Sequence, residues 1–369
     1  MRIGITFDLK SDATKDGLLP APSPFRGEGA GGGSPDDFQE EFDSAATIDA
    51  IASVFRSLGH DVERLGDGRE LLEQLLADPP DFVFNLAEGE GIGRCREARV
   101  PAVLEMLGIP YSGSDPLTLA VTLDKDCAKR LVASAGVAVP RGFVVDSRSE
   151  IANCKLQIAN CKLPVIVKPA WEGSSKGIRK NCLVAQALDL PEVVEAMLGD
   201  YRQPVLVEEF IQGDELTVGL LGNDPPEVLG VMRVLPRYTT ERFIYGVDIK
   251  RDFERLVDYE CPPRLPGNIH DHVRAAAHTA YGALGCRDVS RIDFRLRDGV
   301  PYFLEVNPLP GLNPESSDLV IMARLCGWTY EQLIETILRA ALTRNQLLRN
   351  RGLVAQGSAT NELSSRPAS

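Results

Sequence analysis

From Arg291 to Pro308 the chain reads Arg-Ile-Asp-Phe-Arg-Leu, then, after Arg297, Asp298-Gly299, and then Tyr302-Phe-Leu-Glu-Val-Asn-Pro308. Strand side chains point to opposite faces in turn, so this alternation about a turn signal demands two antiparallel strands. Arg291 and Asp293 then share one face with Glu305 and Asn307, while Ile292, Phe294, Leu304 and Val306 share the other. A register with Asp293 opposite Glu305 also sets Arg291 opposite Asn307, Ile292 opposite Val306 and Phe294 opposite Leu304. A plain two-residue Asp-Gly turn shifts the pairing by one and sets Asp293 against Leu304. The register therefore requires an odd-length loop or a bulge. Two carboxylates and an amide oxygen suit a hard cation such as Mg²⁺, whose other ligands come from phosphates and water. Read alone, the same face is equally an ordinary solvated one.

At 369 residues the chain is too long for one ordinary core and calls for two or three domains. A composition of 44% hydrophobic and 25% charged residues is that of a globular protein, and the net charge of -13 argues against a broad polyanion-binding surface. Nucleic acid is not an expected partner. No apolar run approaches about 18 residues, and Met-Arg-Ile-Gly-Ile-Thr-Phe-Asp lacks a signal-peptide pattern, so no membrane is expected and a cytoplasmic location is. Eight cysteines with no Cys-x-x-Cys read as free thiols.

A strand is expected at 2–9, followed by a Gly/Pro/Ser-rich stretch at about 20–35 that cannot pack a core and reads as a disordered insertion. Ile48, Ile51, Ala52, Phe55 and Leu58 fall on one helical face, closed by Gly59. Strands at 61–65, 81–86 and 109–111 alternate with helices at 70–76 and 101–107, which makes a small open α/β domain. A helix at 125–135 and a strand at 143–145 follow. Between 151 and 163 the chain repeats itself, Ile-Ala-Asn-Cys-Lys-Leu-Gln then Ile-Ala-Asn-Cys-Lys-Leu, as a tandem duplication in a surface connection would. Strands at 164–168, 204–210, 215–221 and 228–234, a helix at 271–284, the hairpin and a closing helix at 330–342 complete the pattern. The Ser/Asn-rich end reads as a disordered tail.

Three further constellations carry chemistry. Val167-Lys168-Pro169-Ala-Trp-Glu172-Gly173-Ser174-Ser175-Lys-Gly177 is a strand running into a Gly/Ser loop, whose backbone N–H groups and hydroxyls suit phosphate oxygens, although most such loops are only turns. It lacks the Gly-Lys-Ser/Thr order of a P-loop. Val205-Leu-Val-Glu208-Glu209-Phe210-Ile211 followed by Glu215 offers a strand edge for a heterocycle and a carboxylate for sugar hydroxyls, or merely acids facing water. Lys125, Lys168 and Lys250 are each, alone, ordinary surface charge.

Taken in order, these elements are the layout of the ATP-grasp superfamily, and within it the chain resembles D-alanine:D-alanine ligase from about residue 81 to 342. The resemblance is specific at Leu104-Glu-Met-Leu-Gly-Ile-Pro-Tyr-Ser-Gly-Ser114, Leu123-Asp-Lys125, Pro164-Val-Ile-Val-Lys-Pro169, Glu172-Gly-Ser-Ser175 and Leu304-Glu-Val-Asn-Pro-Leu-Pro-Gly311. It implies an ATP-grasp fold, α/β plus α+β, with an N-terminal open, Rossmann-like α/β domain at 1–114. A central subdomain at 115–213, a C-terminal subdomain with the metal site at 214–345, and a tail at 346–369 would follow. Lys125, Lys168 and Ser175 would hold phosphates or adenine, with Glu208, Glu209, Phe210 and Ile211 lining the adenine pocket and Glu215 binding ribose. Glu172 belongs to the same nucleotide set. Asp293, Glu305 and Asn307 would hold two Mg²⁺, with Mn²⁺ an admissible substitute. Lys250 would sit on a loop closing over the γ-phosphate.

The implied reaction joins two small amino acids through an acyl phosphate, in peptidoglycan precursor synthesis. Arg291 and the N–H of Gly311 would stabilise the tetrahedral oxyanion, and Ser174 with Ser316 or Ser317 would place the substrates. Glu41 is the best match for the glutamate that holds the first substrate's ammonium. A ligase for another amino acid or peptide, or an ATP-binding module without chemistry, are the alternatives, and a homodimer is compatible with the resemblance. Departures fall on the substrate side. Glu88 stands where these ligases carry histidine, and Arg94, Arg96 and Arg251 are new cations that would suit an acidic or peptidyl substrate, or reflect divergence alone.

Overall fold

A computed structural model describes residues 1–10, 35–158 and 161–350. The expected insertion lies outside them apart from Pro35, as do residues 351–369. The chain builds three sheets. In the first, β1 (Arg2–Thr6), β2 (Asp61–Gly66) and β3 (Phe82–Asn85) run parallel in the order β2-β1-β3. The fourth strand expected here shrinks to a single bridge between Val83 and Tyr111.

Helices α1 (Ala45–Ser57), α2 (Gly68–Ala77) and α3 (Arg99–Leu107) connect and follow these strands. Ser44 caps α1 by accepting from the Thr47 N–H at 3.1 Å, and Ile48, Ile51, Ala52 and Phe55 are fully buried as their spacing requires. Leu58, expected on that face, is 38% exposed because the helix ends at Ser57 and Gly59 turns the chain with φ +81°. Two capped helices come next, α4 (Pro116–Leu123), which was not expected, and α5 (Lys125–Ser134).

The second sheet has the order β4-β7-β5-β6, with β4 (Gly142–Val145), β5 (Val165–Pro169), β6 (Leu183–Val184) and β7 (Val205–Glu209) all antiparallel. Helices α6 (Cys154–Gln157) and α7 (Leu190–Tyr201) cover it. The tandem repeat is therefore more than a surface connection. Cys154 and Ile158, four residues apart, are buried in the core with Val194 and Met197.

The third sheet has the order β10-β9-β8-β11-β12, fully antiparallel. Its strands β8 (Asp214–Leu221), β9 (Glu227–Pro236), β10 (Val257–Glu260), β11 (Val289–Arg297) and β12 (Val300–Asn307) are accompanied by α8 (Val247–Arg251), α9 (Phe253–Leu256), α10 (Ile269–Leu284), α11 (Asp318–Leu325) and α12 (Tyr330–Asn350). One face packs on α10 and on Ala128 and Val132 of α5. A second core joins Ile3, Ile5, Ile48 and Phe55 of the N-terminal layer to Leu319, Leu333, Ile334 and Ile337 of the last two helices. The closing helix runs past 342 and past the expected start of the tail at 346. Ala341 is buried, and Asn345 donates to the Tyr111 carbonyl at 3.0 Å, so the helix is docked against the N-terminal layer as far as residue 345.

The hairpin obeys both of its conflicting demands. Arg291 pairs with Asn307, Ile292 with Val306 and Asp293 with Glu305, as the polar face requires. Phe294 pairs with Phe303, not with Leu304, and Arg297 pairs with Val300 across a tight turn. Asp298 and Gly299 have φ of 53° and 78°, the left-handed pair that a two-residue hairpin turn of this hand needs. The register shift between Asp293 and Phe294 leaves Leu304 as the extra residue of a bulge.

Candidate active site

A cavity of about 400 Å³ opens where the three layers meet, walled by Glu88 and Glu97 of the N-terminal layer, the Glu172–Ser174 loop, and Arg291, Asn307 and Gly311. Beside it a cleft of about 70 Å³ lies between the second and third sheets, lined by Lys168, Ser175, Phe210, Ile211, Glu215, Asp293 and Leu304. Tyr245, Lys250, Glu305 and Asp318 line both spaces, so the hairpin forms the common floor.

On that floor the Asp293 carboxylate accepts from Thr217 Oγ1 at 2.8 Å and from Arg291 Nη2 at 2.9 Å. Arg291 also donates to Asp318 at 3.2 Å, and Asp318 accepts from Tyr245 Oη at 2.9 Å. Burial works against the Arg291 charge, but Asp293 and Asp318 outweigh it and raise its pKa. Glu305 lies 3.0 Å from Lys125 Nζ. Burial pushes the Glu305 carboxyl up, yet Lys125, Lys168 and Lys250 together hold it far below the usual carboxylate range. The Asn307 amide nitrogen is buried with no hydrogen-bond partner among the described residues. Asp293 therefore faces the cleft, Asn307 the cavity and Glu305 both, in the expected register.

In the cleft, Lys168 on β5 pairs with Glu208 on β7 at 2.7 Å, and Lys129 on α5 reaches the same carboxylate at 3.2 Å. Burial lowers Lys129 to about 8 despite Glu208. Lys129 was missed in the sequence, though it sits one helical turn after Lys125 and also donates to the Leu304 carbonyl. Glu209 is held by Arg297 at 2.6 Å and Glu215 by Arg295 at 2.9 Å. The Arg295 guanidinium stacks 4.6 Å from the Phe210 ring centroid and donates to the Ile211 carbonyl at 3.2 Å, fixing the far wall. Lys250 lies 5.1 Å over the Tyr245 ring, at the mouth shared by cleft and cavity.

The Gly/Ser loop leaves β5 with Ser174 and Ser175 both left-handed, at φ 47° and 61°. Side chains rarely adopt this conformation, and the pair forms a tight turn closed by the Lys176 N–H donating to the Gly173 carbonyl at 2.9 Å. Glu172 sits apart from the cleft. Its carboxylate accepts from Gln203 at 2.7 Å and from Arg96 at 3.2 Å, and it also pairs with Lys176. Sequence order had grouped it with the nucleotide residues, but the loop carries it out of the second sheet and against the N-terminal layer.

Glu41 joins the same cluster. It accepts from Arg96 at 2.8 Å, from Lys176 at 3.2 Å and from the Gly173 N–H. A β-carbon on Gly173 would stand 2.8 Å from the Glu41 Oε1, which is why the loop is glycine there. Burial pushes the Glu41 carboxyl up, but Arg96 and Lys176 overcome it and bring it down to about 2. Glu41 lines the cavity with both oxygens already engaged, which leaves it poorly placed to hold a substrate ammonium.

The arginines that sequence suggested for an acidic substrate are likewise occupied. Arg94 pairs with Asp124 at 2.7 Å, and Arg251 with Asp36 at 2.7 Å and with Glu40. Arg96 is 1% exposed inside its carboxylates. Glu88 and Glu97 face the cavity instead. Burial raises Glu97 to about 7, and burial together with Glu97 raises Glu88 well above its ordinary value.

Between β12 and α11 the chain wraps the cavity. Asn313 accepts from the N–H groups of Glu315 and Ser316 at 2.9 and 3.1 Å and reaches Thr47 of α1 at 3.0 Å. Ser317 Oγ accepts from the Asn313 N–H at 2.9 Å, which leaves Gly311, Ser316 and Ser317 along one wall.

The family described as "D-ala D-ala ligase C-terminus" matches residues 131–339. A protein named D-alanine–D-alanine ligase from Gluconobacter oxydans is 34% identical, over 82% of this chain and 95% of its own length. One of the same name from Gloeobacter violaceus is 32% identical over 79% and 92%. The fold resembles the crystal structure of D-alanine–D-alanine ligase from Bacillus anthracis complexed with ATP, with a TM-score of 0.66 at 22% identity, covering 94% of this chain and 99% of that one. It also resembles the VanG D-Ala:D-Ser ligase from Enterococcus faecalis, with a TM-score of 0.67 at 23% identity, covering 92% and 99%.

Proposed function

Because this chain belongs to the D-alanine–D-alanine ligase family, with its ATP-grasp fold, we propose that the cleft holds ATP and the cavity two amino acids that the enzyme joins by a peptide bond. It is an ATP-dependent ligase, and D-alanine with D-alanine, for peptidoglycan precursor synthesis, is the pair we assign. The observation that carries this reading is the shared floor. Glu305, Lys250 and Tyr245 line both spaces, so a nucleotide seated along β5 and β7 directs its terminal phosphate at whatever occupies the cavity.

Phe210, Ile211 and Leu304 supply apolar surface for adenine, and Glu215 is placed for the ribose hydroxyls. Lys125, Lys168 and the left-handed pair Ser174 and Ser175 supply charge and N–H groups for phosphate oxygens. Asp293, Glu305 and Asn307 fit Mg²⁺, and we assign two ions there, replaceable by Mn²⁺. Two carboxylates and one amide oxygen leave the remaining positions of such an ion to phosphates and water. When bound, Mg²⁺ neutralises phosphate oxygen charge.

A carboxylate of the first amino acid attacks the γ-phosphate and expels ADP, and the amine of the second, freed of its proton, then displaces phosphate from the acyl phosphate through a tetrahedral oxyanion, releasing a further proton as the amide forms. Arg291, its charge fixed by Asp293 and Asp318, and the Gly311 N–H are the oxyanion donors. Lys250 over Tyr245 stands at the mouth through which water would enter. Glu88 and Glu97, rather than Glu41, receive the first substrate's ammonium. ADP release measured against a panel of amino-acid pairs tests the assignment. Stimulation by D-alanine is expected, and its absence, with another pair active, would move the enzyme to a different substrate.

A further inference from the structure

The Sγ atoms of Cys261 and Cys326 lie 3.4 Å apart, although the residues are 65 positions apart in the chain. Cys261 follows directly on β10 and Cys326 caps the C-terminus of α11. A second feature shows that the space around them is kept for sulfur. On β9, a β-carbon at Gly230 would stand 2.8 Å from the Cys326 Sγ and 3.1 Å from the Cys261 Sγ, so any side chain there would force the pair away. The pair lies on the opposite side of the third sheet from α10, outside both the cleft and the cavity. Among the described residues the other six cysteines make no such sulfur contact.

We propose that Cys261 and Cys326 form a thiol–disulfide modification site, closing to an intramolecular disulfide on reaction with a low-molecular-weight disulfide. Cys326 is exposed and Cys261 half-buried, so an incoming disulfide meets Cys326 first. The Cys326 thiolate attacks one sulfur of the reagent and expels one thiolate, leaving a mixed disulfide. Cys261 then loses its proton and attacks the Cys326 sulfur, expelling the second thiolate. The two cysteines lose two electrons, and the reagent is reduced to two thiols. The sulfurs need only approach from 3.4 Å to about 2.0 Å. Burial, together with the contact to Cys326, pushes the Cys261 thiol up to about 12, which makes the exposed partner the initiating nucleophile.

The bond would tie β10 to the C-terminal end of the helix whose first residue is Asp318. Tyr259 of β10 already reaches that aspartate through Tyr245, by contacts of 2.6 and 2.9 Å. The cross-link therefore joins two elements that brace the Arg291 anchor, without touching any residue of the site itself.

The test uses the full-length native protein incubated in a ladder of oxidised to reduced glutathione, quenched by alkylation and mapped by mass spectrometry. Titratable thiols should fall from eight to six, with one cross-linked peptide pair joining Cys261 to Cys326, reversible by dithiothreitol. Cys261→Ser should stop at a glutathione adduct on Cys326, and Cys326→Ser should keep Cys261 unmodified. Retention of all eight thiols, a stable glutathione adduct on Cys326 in the unsubstituted protein, a bond between other cysteines, or a cross-link formed only in denaturant would each overturn the proposal.

Discussion

Replacing Arg96 by Met tests whether the buried charge cluster is what ties the Gly/Ser loop to the N-terminal layer. Arg96 and Lys176 face Glu41 and Glu172, all four at 4% exposure or less, so the cluster pairs two cations with two carboxylates largely out of water. Losing Arg96 leaves two buried carboxylates sharing one ammonium, and leaves the Trp171 carbonyl without its donor at 2.7 Å. At an effective dielectric of about 20, each lost contact at 3–4 Å is worth roughly 4 kcal/mol before the relief of desolvation and of Lys176 repulsion. Broken buried pairs cost about 3–5 kcal/mol net, and we expect Arg96→Met to fall in that range. This is a large part of the roughly 5–15 kcal/mol that stabilises an ordinary domain. Adding Glu41→Gln restores neutrality while keeping an acceptor for the Gly173 N–H. The double variant should therefore recover about 2 kcal/mol relative to Arg96→Met. Urea unfolding followed by tryptophan fluorescence, with Trp328→Phe as the background so that Trp171 beside the cluster gives the signal, reads both. A single variant within about 1 kcal/mol of the parent, or a double variant no better than Arg96→Met alone, would refute the reasoning.

Arg291→Ala should lower kcat about 10²- to 10³-fold while sparing ATP binding, measured by steady-state ADP release and calorimetry; activity near the parent level would remove the oxyanion role. Lys168→Met should weaken ATP at least about tenfold in a direct binding titration, because Glu208 then keeps only Lys129. Glu97 is raised to about 7, so between its ordinary value of 4.5 and 7 the folded protein holds a proton that the unfolded chain has lost. Stability must therefore fall as pH rises through that window. In melting curves from pH 5 to 8, Glu97→Gln should flatten this slope without abolishing it, since Glu88 is raised for the same reason, and an unchanged slope would contradict it. Deleting Leu304 should leave Asp293 opposite Glu305 but remove apolar surface from the cleft. We expect a higher KM for ATP with the fold intact by circular dichroism, and an unaltered KM would deny Leu304 its place in the nucleotide wall.

The polar face of the hairpin was legible because period-two alternation is local and charges on a buried face are rare. The position of its bulge was not, since nothing in Phe303-Leu304-Glu305 marks which residue is extra. The α/β layers followed from apolar spacing. Helix α4 escaped because Pro116–Leu123 is an almost continuous apolar run with no 3.6-residue contrast. Lys129 and Lys176 do not stand out in the sequence, and Arg96 reads there only as a cation for an acidic substrate, because their partners Glu208 and Glu41 lie far along the chain or on another layer. The same folding of one layer onto another placed Glu172 outside the cleft, engaged Glu41, and paired Arg94 and Arg251 with carboxylates.

The bulge at Leu304 also separates two counts that a regular hairpin would force to agree. Positions in the upper pairs, Arg291 with Asn307 down to Asp293 with Glu305, keep one parity, and those from Phe294 with Phe303 to the turn keep the other. The turn is thus free to be the shortest and most strongly specified one, while the ligand face keeps the phase its chemistry needs. A one-residue change in the loop need not scramble the floor, provided the bulge is absorbed or moved along the strand. Selection can then act on the tip and on the site as if they belonged to separate pieces of chain.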